Sequence, residues 1–376
     1  MGFNIWTDCP RVPITQLLEF IVDNRGKTVP TAQSGHKLIA TNCVTNNTLF
    51  PVYEKIRYLS DETYRTWFRA HPIPGDILFV NKGTPGRVCM VPDPIDFCIA
   101  QDMIALRADD AKIYNKYLFA VLRSHEIQQQ IYNTSVGDVI PHFKKQFMDQ
   151  LLIPVPDRKI QEAIGDLYYV LSYKVEHNKK INDNLQQQAQ AIYASMFIIN
   201  ADPAWTQGHL SDLITVKYGK DHKKLADGVY PVFGSGGIMR YVERPLYTGE
   251  SVLIPRKGTL NNVMYVNEPF WSVDTMFFTE MKVPNVAKFV FHFVKAKDLA
   301  SMNAGSAVPS MTTDILNALE LAIPPADRLA EFESAVTPMY QMMQANSRES
   351  AKLAELRDTL LPKLMTGEID VSSIQF

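Results

Sequence analysis

Residues 137–141 read Gly-Asp-Val-Ile-Pro, and residues 305–309, 168 positions further on, read Gly-Ser-Ala-Val-Pro. Each loop leads through a short polar stretch to an apolar run ending in Ile-Pro, at Ile153-Pro154 and at Ile323-Pro324. An Asp-Arg pair and a long helical segment follow in both places. The same offset superposes the helical segments, with Ile164 on Phe332, Leu171 on Met339, Asn178 on Asn346, Leu185 on Leu353 and Ile192 on Leu360. Solenoid repeats recur every ~20–50 residues, so so long a period marks a duplicated module of domain plus helix. Such a chain should present two similar surfaces about an approximate twofold. That suits a ligand with a twofold of its own, duplex DNA foremost.

The helical segments predict what holds the modules. In the first, apolar residues fall at 164, 167, 171, 181, 185 and 192, a heptad-like stripe over about 40 residues or ~60 Å of helix. The second stripe runs Phe332, Ala335, Met339, Met342, Leu353, Leu356, Leu360 and Leu364. Alone, either stripe would face water, so the two helices should pack antiparallel as an intramolecular coiled coil. Asn178 and Asn346 lie on the seam, where a buried polar residue fixes register; a place at the seam's wet edge is an equal reading. Pro338 predicts a kink or a helix start, and Pro362 followed by Gly367 predicts a bend or an end.

Around these helices the chain divides into 1–156, a first domain; 157–200, a first helical spacer; 201–323, a second domain; and 324–376, a second spacer with a tail. Both domains read as mixed α/β (α+β), with strands such as 77–80 and 104–106 punctuated by Pro and Gly. One helix is predicted over 115–132, where Leu118, Val121, Leu122 and Ile127 keep helical spacing. The stretch Gly-Asp-Ile-Leu-Phe-Val-Asn-Lys-Gly-Thr (75–84) matches Gly-Glu-Ser-Val-Leu-Ile-Pro-Arg-Lys-Gly-Thr (249–259) with one insertion. The first domain is longer, chiefly through an insertion around 46–71.

Composition bounds the class. A chain of 376 residues, 46% hydrophobic and 21% charged, is an ordinary globular protein of two or three domains. No apolar run approaches the ~20 residues of a membrane span, and the N-terminus lacks a secretory pattern. The four cysteines form no CxxC pair and are confined to the first half, so neither disulfides nor zinc is shared by the two modules; a reducing cytoplasm is the expected setting. Net charge is only −2, whereas a lone, tight nucleic-acid binder carries a basic excess. Either DNA is not the ligand, or basic residues concentrate on one face and other subunits supply further positive charge.

Catalytic signatures are missing: no phosphate loop, no H-E-x-x-H, no G-x-S-x-G and no G-x-G-x-x-G after a strand. No acid–base pair recurs between the copies. What recurs is Lys82-Gly83-Thr84 and Lys257-Gly258-Thr259 after an apolar strand. Glycine lets backbone approach a phosphate, lysine neutralises it and the hydroxyl adds a hydrogen bond; an ordinary strand-end turn is the competing reading. The Gly-x-x-x-Pro loops precede short helices, with His142 or Ser310 near helix N-termini that could attract phosphate or simply turn the chain.

At this point the motifs resemble a known family. The segment Leu-Arg-Asp-Thr-Leu-Leu-Pro-Lys-Leu-Met-Thr-Gly-Glu-Ile at 356–369 looks like the C-terminal repeat of the specificity subunit of type I restriction–modification systems. The Gly-Ser-x-x-Pro loop and the strand ending in Arg-Lys-Gly-Thr look like its target-recognition domains. The resemblance implies two such domains joined by antiparallel helical spacers, each domain reading half of a bipartite site in double-stranded DNA. It implies a non-catalytic chain that itself binds no cofactor. Two methyltransferase subunits would bring S-adenosylmethionine, and a motor–nuclease subunit would bring ATP and Mg. The weak net charge then follows from sharing DNA with those partners. Asn81 stands where the second module has Arg256, a departure from the pattern, as is Pro338.

On that reading, residues particular to each module should contact bases: His36, Lys37, Asn42, Asn46, Asn47 and Arg87 in the first, Lys220, Lys223, Ser235 and Asn261 in the second. The shared Lys82, Thr84, Lys257 and Thr259 should contact phosphates whichever sequence is bound, and Gly83, Arg256 and Gly258 are DNA-binding residues of the same turns. Two rivals stand beside it: a paired-module adaptor binding RNA or protein in another assembly, and a stand-alone enzyme with an unfamiliar site.

Overall fold

The computed structural model describes residues 3–24, 26–137, 140–302 and 310–370. Asp138 and Val139 of the first Gly-x-x-x-Pro loop, and the whole of the second, 305–309, lie outside the described residues. Contacts divide the chain into two compact units, Met1–Ile181 with Ala345–Phe376, and Asn182–Gln344. The division passes through both long helices, so each unit is one α+β module plus part of each helix.

In the first unit the strands are β1 (Arg11–Pro13), β2 (Leu18–Val22), β3 (His36–Ile39), β4 (Arg57–Leu59), β5 (Ile77–Val80), β6 (Val88–Met90), β7 (Phe97–Ile99), β8 (Met103–Ala108) and β9 (Leu152–Pro154). They form a four-stranded sheet in the order β2-β8-β5-β6, a three-stranded sheet β4-β3-β7 and a ribbon β1-β9. The Ile-Leu-Phe-Val run of β5 is buried throughout because that strand lies between two others with both faces covered. The ribbon pairs Val12 with Ile153 and so closes the module where the chain enters the first long helix. Helices α1 (Ile5–Asp8), α2 (Asp61–Thr66), α3 (Asn115–Leu122) and α4 (His125–Thr134) complete the module, with β4 and α2 built from the insertion.

The helix predicted over 115–132 is therefore two. Ser124 ends the first by accepting a hydrogen bond from Ile127 N at 3.4 Å, which caps the second. The preceding residue, Arg123, is drawn to a ring of backbone carbonyls, Thr45 at 3.2 Å, Val88 at 2.8 Å and Thr48. Burial pushes its guanidinium below its ordinary pKa. The insertion is thus tied to the helix break rather than free on the surface.

The second unit has the same plan. Helix α5 (Arg158–Ala194) leads to β10 (Thr206–His209), α6 (Leu210–Leu213), β11 (Ile214–Tyr218), β12 (Asp227–Gly234), β13 (Gly237–Val242), β14 (Ser251–Pro255), β15 (Met264–Val266), β16 (Trp271–Ser272), β17 (Met276–Met281), α7 (Ala287–Lys295), α8 (Thr313–Asn317), β18 (Glu320–Ile323) and α9 (Ala326–Met365). The sheets run β11-β17-β14-β15 and β13-β12-β16, and the ribbon is β10-β18. Strand for strand this repeats the first module's order.

Within each unit the halves of α5 and α9 pack antiparallel. In the first, Ile164 and Tyr168 join Leu361, Leu364 and Met365 in one core. Further along, Arg357 reaches Ser172 at 3.5 Å and Asn178 reaches Glu349 at 2.6 Å. Gly165 lets α5 approach α3, since a Cβ there would lie 2.6 Å from Tyr117 N. In the second, Tyr193 and Phe197 pack on Leu329, Phe332 and Val336, and Asn182 donates to Met343 O at 3.1 Å.

Of the residues predicted for the seam, Ile164, Leu171, Asn178 and Phe332 are buried, while Leu185, Ile192, Met339, Asn346, Leu353 and Leu360 are half-buried. Ala335, Met342 and Leu356 are exposed; Val336, Tyr340, Leu361 and Met365 take the buried positions instead. The reason is that α9 covers both the partner helix and a globular core, Val336 and Tyr340 packing into the second unit's core and Leu361 and Met365 into the first unit's, so its buried arc is rotated from a two-helix seam. The helix also runs through Pro338 and Pro362 without a break. Phe332, Val336 and Tyr340 bury the face opposite exposed Pro338, which offsets the one lost backbone bond. It ends at Met365, followed by Gly367 at φ +73°.

Candidate nucleic-acid interface

The two duplicated polar motifs of each module come together in space. Lys82 forms a bridge with His142, and Lys257 forms one with Ser310. The flanking hydrogen bonds match too: Phe143 N donates to Asn81 O at 2.8 Å, and Met311 N to Arg256 O at 2.9 Å. Each Lys-Gly-Thr turn is thereby stitched to the residues that follow its Gly-x-x-x-Pro loop. Gly83 at φ +86° and Gly258 at φ +84° occupy left-handed backbone, which turns the lysine outward at a strand end. His142 and Ser310 therefore sit in bridges, ahead of the short helices at Lys145–Gln150 and α8.

Lys82, Gly83, Arg87, Lys257, Gly258 and Thr259 are exposed, and Thr84 and Arg256 are half-buried. Among the described residues no acid lies within ion-pair reach of Lys82, Arg87, Lys220, Lys223, Arg256 or Lys257. Uncompensated cations beside backbone turns are what an anionic polymer needs. Arg256 also lies over the Tyr218 ring, 5.7 Å from its centroid, a planar pair at the end of β11. The tip of the β12–β13 hairpin completes this face: Ser235 Oγ sits against Gly258, and Ser235 O accepts from Asn262 Nδ2 at 2.8 Å.

The residues predicted to differ between modules have more varied fates. His36 contacts Asp61 at 2.8 Å and stacks on Tyr64 with ring centroids 4.0 Å apart. Lys37 pairs with Asp96 and lies over the Tyr53 ring. Asn46 Oδ1 accepts from Val88 N at 2.8 Å, Asn42 Nδ2 donates to Glu54 O at 2.8 Å, and Asn47 N donates to Thr45 Oγ1 at 3.2 Å. In the second module Asn261 holds Asp298 Oδ1 and Ala300 N, both at 3.0 Å. Lys220 O accepts from Trp271 Nε1 at 2.8 Å, and Lys223 N donates to Asp221 Oδ1 at 3.1 Å; both lysine side chains are exposed. The side chains of His36, Lys37, Asn42, Asn46 and Asn261 thus help to shape loops.

The profile of the type I restriction modification DNA specificity domain matches residues 21–187 and again 204–331. The chain belongs to the type I restriction–modification DNA specificity family. It is thus a specificity component rather than a catalytic one. Each match covers most of one of the two modules that share a strand order and runs into the long helix that follows it. Among relatives of this family, the chain is 20% identical over 344 residues to the type I restriction enzyme MjaIX specificity subunit of Methanocaldococcus jannaschii, covering 80% of this chain and 79% of that one. It is also 20% identical over 411 residues to the HindI specificity subunit of Haemophilus influenzae, covering 78% and 86%. The crystal structure of the type I S subunit from M. genitalium has the same fold, with a TM-score of 0.63 at 17% identity over 94% of this chain and 95% of that one. Among the described residues no helix is long and apolar enough to cross a membrane, and no three metal-ligating side chains cluster.

A further duplicated feature of the specificity subunit escaped the sequence reading. Lys116 on α3 pairs with Asp166 of α5 at 2.6 Å, and Lys288 on α7 pairs with Glu333 of α9. Both lysines are the second residue of equivalent helices, Asn-Lys-Tyr-Leu-Phe and Ala-Lys-Phe-Val-Phe. Each ties a recognition module to a long helix. The matching pentapeptides were the available signal, but they align at offset 172 rather than 168.

Proposed function

We propose that this chain is the DNA-reading subunit of a type I restriction–modification complex, in which each module reads one half of a bipartite duplex site. The observation that carries the reading is the repeated outward lysine turn, Lys82 and Lys257. Each forms a bridge with the residue that follows its Gly-x-x-x-Pro segment, beside the same backbone hydrogen bond, and among the described residues neither has an acidic partner. Features common to both modules suit the common ligand, the phosphate backbone. Features that differ suit the two different base sequences.

The paired helices then set the gap between half-sites and offer docking surfaces for two methyltransferase subunits. S-adenosylmethionine would be bound by those subunits, and ATP with Mg by a motor–nuclease subunit, all in the cytoplasm. Sharing the duplex with partners accounts for a net charge of only −2. The test is to sequence modified bases in a host with and without this chain, its methyltransferase partner being present in both. A two-part methylated motif that depends on the chain is the expected result. A continuous motif, or modification indifferent to the chain, would overturn the reading.

A further inference from the structure

Helix α4 has no counterpart among the described residues of the second module. In the first module, 20 positions lie between Lys116 of α3 and Gly137; in the second, 16 lie between Lys288 of α7 and Gly305. The offset between the modules accordingly shortens from 172 at the lysine helices to 168 at the loops. The four extra residues fall in the stretch that holds α4. This helix lies against the Lys82-Gly83-Thr84 turn, with which it encloses a depression of about 880 Å3.

The helix has two faces with different duties. Ile127 and Ile131 are buried in the module's core. Gln128 clamps the lysine turn, its Nε2 donating to Gly86 O at 2.8 Å and to Leu122 O at 2.6 Å. The other face carries Gln129, Tyr132 and Asn133, all lining the depression. Tyr132 is 75% exposed, an unusual placement for a large aromatic ring on a structured helix. Gln129 Nε2 donates to Asn133 Oδ1 at 2.9 Å, so the two amides are held side by side one turn apart. That leaves Gln129 with a carbonyl and Asn133 with an amino group facing outward. Side-chain amides of this kind match the acceptor and donor of an adenine edge.

In the second module the same job of clamping the turn is done without a helix: Asn261 bridges Asp298 and Ala300. The clamp is common to both modules, whereas among the described residues the outward amide pair and ring are found in the first. We propose that α4 is a base-reading element of the first module, with Gln129 and Asn133 contacting base edges and Tyr132 packing against the bases. Lys82 and Arg87 beside it supply the positive charge that holds the duplex there. The proposal rests on the reading of the chain as a DNA-specificity subunit and names which element reads one half-site.

The test compares methylated motifs in hosts that carry the methyltransferase partner and either the natural chain, the double variant Gln129→Ala with Asn133→Ala, or Tyr132→Ala. The double variant should relax discrimination ~10-fold or more at one or two positions of a single half-site. The other half, read by the second module of the same molecule, should be unchanged, which also reports that the chain folds and assembles. Tyr132→Ala should weaken modification at that half-site. A motif identical to the natural one in both variants overturns the proposal, and so does equal loss of both halves. If the natural chain itself yields no two-part motif, it is the function proposed above that fails.

Discussion

The two modules share a strand order and a lysine that ties each to a long helix, but they bury that lysine differently. In the first, Lys116 is 32% exposed and meets one carboxylate, Asp166, itself 29% exposed. In the second, Lys288 is 3% exposed and lies between Glu250 and Glu333. Around it Tyr265 donates to Glu250, Thr337 Oγ1 donates to Glu333 Oε1 at 3.0 Å, and the Tyr265 and Tyr340 rings cover the ammonium. Burial alone would raise the Glu250 carboxyl, but hydrogen bonds from Tyr265 and Lys288 hold it below its ordinary range. The same attachment is a rim contact in one copy and an interior network in the other. The first module compensates with close backbone packing at Gly165, where the second has Glu333. Duplicated topology therefore does not fix how a module is fastened to its helix.

The largest effect that would break this contrast is at the lysines. Lys288→Ala leaves Glu333 uncompensated in a buried site and should cost about 3–5 kcal/mol. Lys116→Ala removes a partly solvated pair and should cost about 1 kcal/mol or less. Urea unfolding of the full chain measures both. Equal costs would mean that burial of the second network carries no energetic weight.

A smaller difference follows from one position on the lysine helices. Ala120 in the first module corresponds to His292 in the second. His292 is fully buried, between Gln190 at 2.7 Å and Tyr340 at 2.9 Å. Burial, helped by nearby Lys295, pushes its pKa down to about 4. Its folded pKa is below the unfolded value near 6.5, so the unfolded chain binds the extra proton in acid. The stability His292 contributes is complete above pH ~6.5 and is lost as pH falls toward 4. Between pH 7.5 and 5 the natural chain should lose about 1–2 kcal/mol more than His292→Gln. His71 in the first module is lowered as well, chiefly by burial, and contributes alike to both chains, so the difference isolates His292. Identical acid sensitivity in the two chains would place the titrating group elsewhere.

The duplication was legible because apolar strands and glycine turns recur at nearly constant spacing. The matched order of the sheets follows from it. The lysine attachments were not, because the stretch that holds α4 shifts the offset by four residues and a single register misses them. The break at Ser124 was hidden by helical spacing that continues through it; only the capping serine marks the boundary, and Ser is common in loops. Difference between the modules and a side chain suited to base edges mark loop residues in sequence, but do not show where they point. A polar side chain that bonds to a neighbouring backbone, as Asn46 does to Val88, reads in sequence like one that faces solvent. Position relative to the lysine turn is what separates Gln129 and Asn133 from such residues, and position is a property of the fold.

The smallest effect concerns the seam residue present in both copies of the helix. Asn178 is 1% exposed, and its Nδ2 reaches Glu349 Oε2 at 2.6 Å, Ser350 Oγ at 3.3 Å and Asn346 O at 3.4 Å. It thus touches the backbone of its own duplicate. Its Oδ1, also buried, has no hydrogen-bond partner among the described residues. A leucine there would lose the bonds made by Nδ2 but would also remove an unsatisfied acceptor from the seam. These terms nearly cancel, so Asn178→Leu should change stability by no more than ~1 kcal/mol in either direction. Calorimetry of the full chain decides it. A loss well above that would mean the bond to Glu349 outweighs the stranded carbonyl, making the seam a stabilising contact. A near-zero change leaves register as the physical reason for a polar residue where apolar packing would serve stability equally well.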